Sequence, residues 1–426
     1  MFAVWIFNRI FVSWNYAFSK ANMKRVAKIF RVFGRIIISL LFMVALAVAA
    51  TSFSAIYDFA PQAPFRGNDI FNPYADFNPN TEWKRTTLHT HTRVSGPLNE
   101  CDYTARETWD KYLDYGYDIV GISNHNEITP HPDPKQDIGI YEHGYNLRNF
   151  HKLAIGTERV MRFDALYPLF ASQAQYQLRK LAEECQVLQL NHPSRSALLD
   201  SACLTKIEGY DILELSGIDA YLENKHWDWA LSAGRYSYAL LNDDLHYPDR
   251  SSRFAVRCSY LATKECTTEE IIKTLKSGCF YSVRLPNYGN GNWEIKREKS
   301  NDIPTIKNIG IKGDTIYMKL SHSAEQIRVI GENHTLLART AESDTISYRI
   351  RTCDPYARIV ASYPDSLIIM TNAFARYDKA TMAAPSDREL CKVNTLATVM
   401  YNIAVVAVIG AIIAIYIRIV RRWRTK

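Results

Sequence analysis

Five apolar runs in this chain each stop on a residue type that binds metal ions, and that regularity restricts the fold more than any other feature. They read TTLHTHT to His89 and His91, VGISNH to His125, LAIGTE to Glu158, VLQLNH to His192, and YALLNDDLH to Asp244 and His246. Residues i and i+2 of a strand share a face, so His89 and His91 offer two imidazoles to one point. Seven nitrogen and oxygen ligands exceed what one ion needs. Two or three ions sharing a bridging carboxylate account for them better.

From Trp83 the pattern alternates between β and α. Helical spacing is expected over Tyr103 to Gly116, Gln173 to Cys185 and Trp227 to Gly234, with a Thr267/Glu270 capping box opening a helix that ends at Gly278. Ile128 to Asn149, rich in Pro, Asp and His, reads as a loop. Ligands at the C-terminal ends of successive parallel strands suit a barrel of β/α units, where the following loops converge on one mouth. After Asn287 helical spacing stops, and DTIYMKL, QIRVIG, TISYRIR and ARIVASY predict a small β-sandwich over residues 303–372.

The formal charge of +7 suggests nucleic acid until it is mapped. Residues 1–57 carry seven Lys/Arg and no acid, and residues 394–426 carry five and no acid, which leaves the middle at −5. An acidic middle lacks the basic track that long polyanions need. The basic ends instead flank two apolar segments. IIISLLFMVALAVAA opens residues 36–57, a signal anchor or a cleavable signal peptide, and residues 395–417 form a spanning helix followed by the basic tail 418–426. Positive flanks put residues 1–35 and the tail in the cytoplasm, and everything between on the far side of an inner membrane, in the periplasm. Residues 58–82 read as a linker lying against the domain. The aromatic first 22 residues fit either an interfacial segment or an alternative start at Met23. Eight scattered cysteines, with no CxxC pair, predict no disulfide connectivity.

The ordered set HxH, SNH, GTE, NHP and DDLH over residues 83–286 resembles the polymerase and histidinol phosphatase (PHP) superfamily of metal-dependent phosphoesterases. The ending KTLKSGCFYSV followed by a β domain is similar, more loosely, to its secreted carbaryl-hydrolase-like branch. The resemblance implies a distorted (β/α)7 barrel with a C-terminal all-β domain, an α/β chain flanked here by two transmembrane helices. It also implies metal ligands: His89, His91 and Asp244 for a first ion, Glu158 bridging to a second held by His192, and His125 with His246 facing a third. Two positions depart from the pattern, Gly96 where an acid is expected and Asn124 in place of an aspartate. Both weaken the third position unless Glu100, Asp102 or His131 replaces the missing ligand.

Mixed imidazole and carboxylate ligands without thiolates suit zinc or manganese, with iron as a further choice. The catalytic set is then Glu158, Asp244, Arg195 and Asp243. Arg195 would reach a substrate phosphate, with Arg93 as an alternative, and Asp243 would act as base or support its neighbour. His131, His143, His151, His226, His322 and His334 are read as ordinary histidines. The leading expectation is an extracytoplasmic, membrane-anchored hydrolase of small phosphorylated substrates. A carbamate or carboxylic ester hydrolase at the same metals, and a non-catalytic metal-containing binding or sensor protein, are the alternatives.

Overall fold

The computed structural model describes residues 20–95, 99–215, 220–250, 254–286 and 293–425. They form two units, one within residues 20–53 and 399–425 and the other within residues 54–398. In the first unit the helix Lys20–Ala50 and the helix Thr395–Arg424 pack side by side. Arg35 Nη2 donates to Trp423 O at 3.0 Å, Ser39 Oγ lies 3.0 Å from Tyr416 OH, and Tyr401 OH donates to Ser52 O at 2.9 Å. The numbers rise along one helix as they fall along the other, so the pair is antiparallel. Both helices are long and apolar enough to cross a membrane. The first begins well before the expected Ile36, because MKRVAKIFRVFG has no helix breaker before Gly34.

In chain order the strands of the second unit are β1 (Tyr57–Phe59), β2 (Asp69–Phe71), β3 (Trp83–Thr87), β4 (Ile119–Val120), β5 (Ile140–His143), β6 (Lys152–Ile155), β7 (Val187–Leu190), β8 (Ile212–Glu214) and β9 (Tyr238–Leu240). There follow β10 (Arg257–Ala262), β11 (Phe280–Arg284), β12 (Ile306–Lys312), β13 (Thr315–Ile330), β14 (Leu336–Arg349), β15 (Tyr356–Ser362), β16 (Ile368–Thr371), β17 (Phe374–Tyr377) and β18 (Cys391–Val393). Strands β5 to β9 form one sheet in sequence order. Strand β3 pairs with β4 in parallel, and isolated parallel bridges join Thr90 to Leu245 and His125 to Glu142.

The expected run of parallel strands holds for β7–β8–β9 and fails on either side of β6, which is antiparallel to β5 and β7. After Ile155 the chain crosses back through residues 156–170, and the helix Ala171–Ala182 returns it to start β7 beside the point where β6 ended. The segment read as a loop, Ile128–Asn149, therefore contains a buried strand, β5. The expected separate β-sandwich is also corrected. Strands β12 to β16 join β11, β10, β3 and β4 in one sheet, through the antiparallel pairing of β11 with β16. A helix, Trp293–Lys299, lies beyond the point where helices were expected to stop. The linker is structured, since β1 pairs with β18 and β2 with β17.

Local signals explain several elements. The helix Ala105–Asp114 starts on Thr104, whose hydroxyl accepts from the Glu107 backbone at 3.2 Å while the Glu107 carboxylate takes the Thr104 backbone N–H at 2.7 Å. The corresponding box at Thr267 does not form. Glu270 pairs with Lys273 instead. Gly278 ends that helix at φ +77, and a Cβ there would fall 2.1 Å from the Tyr238 ring. All eight cysteine thiols are free.

Candidate metal centre

Six of the seven proposed ligands meet at one end of the sheets. His89 and His91 follow β3 and point the same way, with Nε2 3.2 Å and 3.3 Å from a single oxygen, Glu142 Oε2. His125, beyond β4, brings its Nε2 within 3.2 Å of the same oxygen. The other Glu142 oxygen lies 3.2 Å from both His192 Nε2 and His151 Nδ1. Asp244 Oδ1 faces His89, His91 and His246 at 3.3, 3.5 and 3.4 Å. Glu100 Oε2 lies 3.3 Å from His125 Nε2 and 3.7 Å from His246 Nδ1. Five overlapping triads result, each with ligand atoms within 4.8 Å of one another.

Glu158 is not among these residues. It is exposed at the C-terminal end of β6, and because β6 runs against β7 that end points away from the cluster. The shared carboxylate is Glu142 in β5, which runs in the opposite sense to β6. The same reversal brings His151, read as ordinary, into the centre at the start of β6. Glu100 stands where a substitute acid was expected, while Gly96 lies outside the described residues. Asn124 is no ligand: it accepts from the Thr92 backbone at 2.7 Å and donates to Thr92 Oγ1 at 2.8 Å and Thr129 Oγ1 at 2.7 Å. It braces the turn after His91.

Asp243, placed in the catalytic set, is spent on the backbone. It accepts N–H bonds from Ala255, Val256 and Arg257 and the Tyr112 hydroxyl at 2.9 Å, so no lone pair remains for a base. Burial pushes its carboxyl above the usual range. Arg195 reaches Asp244 Oδ2 with Nη1, and its side chain is 47% exposed. His131 Nδ1 accepts the Asp133 backbone N–H at 3.0 Å and its Nε2 lies 2.8 Å from Val120 O, so it is structural. Arg93 donates to Asp102 O.

Glu214, at the end of β8 and outside every motif, holds the centre from behind. Its Oε1 lies 2.9 Å from His89 Nδ1 and accepts from Asn242 at 3.0 Å, while Oε2 accepts the His192 backbone N–H at 2.8 Å. With Nδ1 bound to a carboxylate, His89 keeps its Nε2 lone pair for the cluster. That nitrogen, and His91 Nε2, have no hydrogen-bond partner among the described residues although both are buried. Unpaired inward-facing nitrogens beside two carboxylates fit a divalent cation. The electrostatics agree. Burial opposes charge on His89, but Glu142, Glu214 and Asp244 outweigh it and hold its pKa well above the ordinary value, so the carboxylates favour positive charge at this point, which a divalent cation would supply in place of the Nε2 proton. Against burial, the histidines hold the Glu142 and Asp244 carboxyls well below the usual range. Burial pulls His125 down to about 3.

Two of the candidate ligands adopt left-handed backbone, His192 at φ 27 and Asp244 at φ 52. Such conformations are costly for residues with a Cβ and concentrate at functional sites.

No family model matches the chain, and no curated protein does. One solved structure that it resembles is described as a two-domain protein containing a predicted PHP-like metal-dependent phosphoesterase, from Bacteroides vulgatus. The identity is 14%, the match covers 73% of this chain and all of that one, and the TM-score is 0.35. A likeness of that size fixes neither fold nor activity.

Proposed function

We propose that this chain is a membrane-anchored, metal-dependent hydrolase of phosphate esters with a PHP-type barrel. The observation that supports it most is the carboxylate of Glu142, whose two oxygens are divided among five imidazoles. A carboxylate so divided is suited to join two cations, each completed by histidines, with Asp244 closing the first group. Bound divalent ions, zinc or manganese ahead of iron, would supply Lewis acidity and a water of lowered pKa. The protein's own part is to hold the ligands. Glu214 fixes the His89 tautomer, Asn124 braces the His91 turn, and Arg195 offers its solvent-facing nitrogens to a phosphate oxygen at the rim. The bridges Thr90 to Leu245 and His125 to Glu142 are where β3 to β9 would close into a ring.

The antiparallel terminal helices carry their Lys/Arg at the end where Arg35 meets Trp423. By the positive-inside rule that end is cytoplasmic, which puts residues 54–398 on the periplasmic face. The test is turnover by the purified full chain, loaded with zinc or manganese, of p-nitrophenyl phosphate, bis-p-nitrophenyl phosphate and p-nitrophenyl acetate. Hydrolysis of either phosphate that disappears in His89→Ala supports the proposal. Hydrolysis of the acetate alone overturns it in favour of an ester hydrolase, and an inert metal-loaded chain in favour of a binding protein.

A further inference from the structure

Beside the metal centre lies a surface that a small water-soluble substrate does not require. Tyr145, Leu147, Tyr167 and Leu169 are 49, 64, 40 and 56% exposed, on two loops held together. Tyr145 N–H donates to Asp164 at 2.8 Å, Leu147 N–H to Leu166 O at 2.9 Å, and Arg148 lies over the Tyr167 ring at 5.6 Å. The patch adjoins the ligands directly. The Tyr145 ring is 6.0 Å from that of His125, and its hydroxyl donates to His125 O at 3.3 Å. Exposed apolar side chains grouped in this way mark an interaction surface.

The course of the chain indicates what meets it. Leu169 N–H donates to Gln173 at 2.7 Å, within the first turn of the helix Ala171–Ala182. In that turn Ser172 accepts the Tyr57 N–H at 3.1 Å and, through its carbonyl, the Ser54 hydroxyl at 3.4 Å. Ile56 in turn accepts the Asn394 N–H at 2.8 Å and donates its own to Thr398 Oγ1 at 2.9 Å. Both points at which the chain passes from this unit into the apolar helices therefore lie at the helix turn that follows Leu169. With those helices in a bilayer, covalent continuity alone keeps lipid close to Ser54 and Thr398. Exposed tyrosines and leucines together, with Arg148 over the Tyr167 ring, are the side-chain chemistry that suits a phospholipid surface.

We infer that the substrate is a membrane lipid carrying a phosphate ester, presented to the metals across Tyr145, Leu147, Tyr167 and Leu169. This rests on the phosphoesterase reading above and narrows it to substrates that stay in the bilayer. Hydrolysis adds water across the P–O bond, so the phosphate leaves with one new oxygen and the lipid keeps a hydroxyl in the membrane.

The test uses the full chain, metal-loaded, in phosphatidylcholine vesicles containing phosphatidic acid and phosphatidylglycerol, with p-nitrophenyl phosphate and its bis ester as soluble probes. Leu147→Asp and Leu169→Asp change exposed side chains outside the metal centre. The expected result is at least tenfold slower lipid hydrolysis in the double variant, with soluble-ester turnover within twofold of the parent. Soluble turnover without lipid hydrolysis by the parent, or a double variant that loses both activities equally or neither, overturns the inference and leaves the phosphoesterase reading standing. A parent inert toward every phosphate ester overturns that reading and this one with it.

Discussion

His89 Nε2 stands 3.2 Å from Glu142 Oε2, and the nitrogen has no hydrogen-bond partner among the described residues. The pair defines the position that a shared cation would take. Glu142→Gln is expected to lower bound metal by at least one equivalent and phosphate-ester turnover by about 100-fold or more. Glu158→Gln should leave both within twofold, because Glu158 is exposed and away from the centre. Elemental analysis of the two purified variants, read with their turnover, decides between the carboxylates.

Glu214 touches no candidate ion position but fixes His89 and the His192 backbone. Carboxylates in that role are typically worth about 10- to 100-fold in metal affinity. Glu214→Gln should therefore weaken metal binding by that factor, measured by competition with a chelating dye, and the defect should be overcome by added metal. A variant whose activity stays lost at saturating metal would refute the positioning role.

Arg358 and Asp228 form a buried ion pair outside the candidate metal groups. Arg358 donates to both oxygens of Asp228, from Nε at 3.1 Å and Nη2 at 3.0 Å, and His334 Nδ1 is 2.6 Å from Oδ2. Removing one partner of such a pair typically costs about 3–5 kcal/mol, since the other is left charged and buried. Asp228→Asn should lower unfolding free energy in urea by that amount at pH 7. Burial alone would raise the Asp228 pKa, but Arg358 and His334 outweigh it and hold it below the ordinary carboxylate value. Its contribution is then complete above about pH 4, near the unfolded value, and is lost as pH falls through the depressed folded one. The gap between parent and variant should still be present at about pH 5 and shrink in stronger acid, as pH falls through the depressed Asp228 value.

Gly139, at φ +57, leads into β5, and a Cβ there would lie 2.2 Å from Thr157 O. Gly139→Ala should shift the strand that carries Glu142. A melting temperature several degrees lower, together with reduced metal content, is the expected pair of effects. Loss of stability with full metal content would show that β5 tolerates the shift.

How far the sequence reached depended on strand direction. His89, His91, His125, His192, Asp244 and His246 follow apolar runs whose ends face one way, so reading where each run stops was enough to pick out residues that cluster. Glu142 was hidden because its strand is four residues long and lies in a segment rich in Pro, Asp and His. The apolar alternation Ile138, Ile140, Glu142 was the available signal, and the turn residues around it outweighed it. His151 and Glu158 were misassigned together, since both readings assumed that β6 ran with its neighbours. That orientation depends on the return through residues 156–170, a long-range relation that no local window contains. The pairing of β11 with β16, which merges the expected β-sandwich into the larger sheet, is equally non-local.

Asp243 and Asp244 are adjacent in the chain yet serve different neighbourhoods, one the backbone of residues 255–257 and the other the imidazoles, with the left-handed turn at Asp244 between those tasks. Inserting or deleting a single residue here would slide one acid into the other's place and leave the remaining position without a carboxylate. Loop length can drift elsewhere in such a protein during evolution, but at this step the reading frame of the side chains is fixed, and directed libraries should randomise identity there while leaving spacing alone.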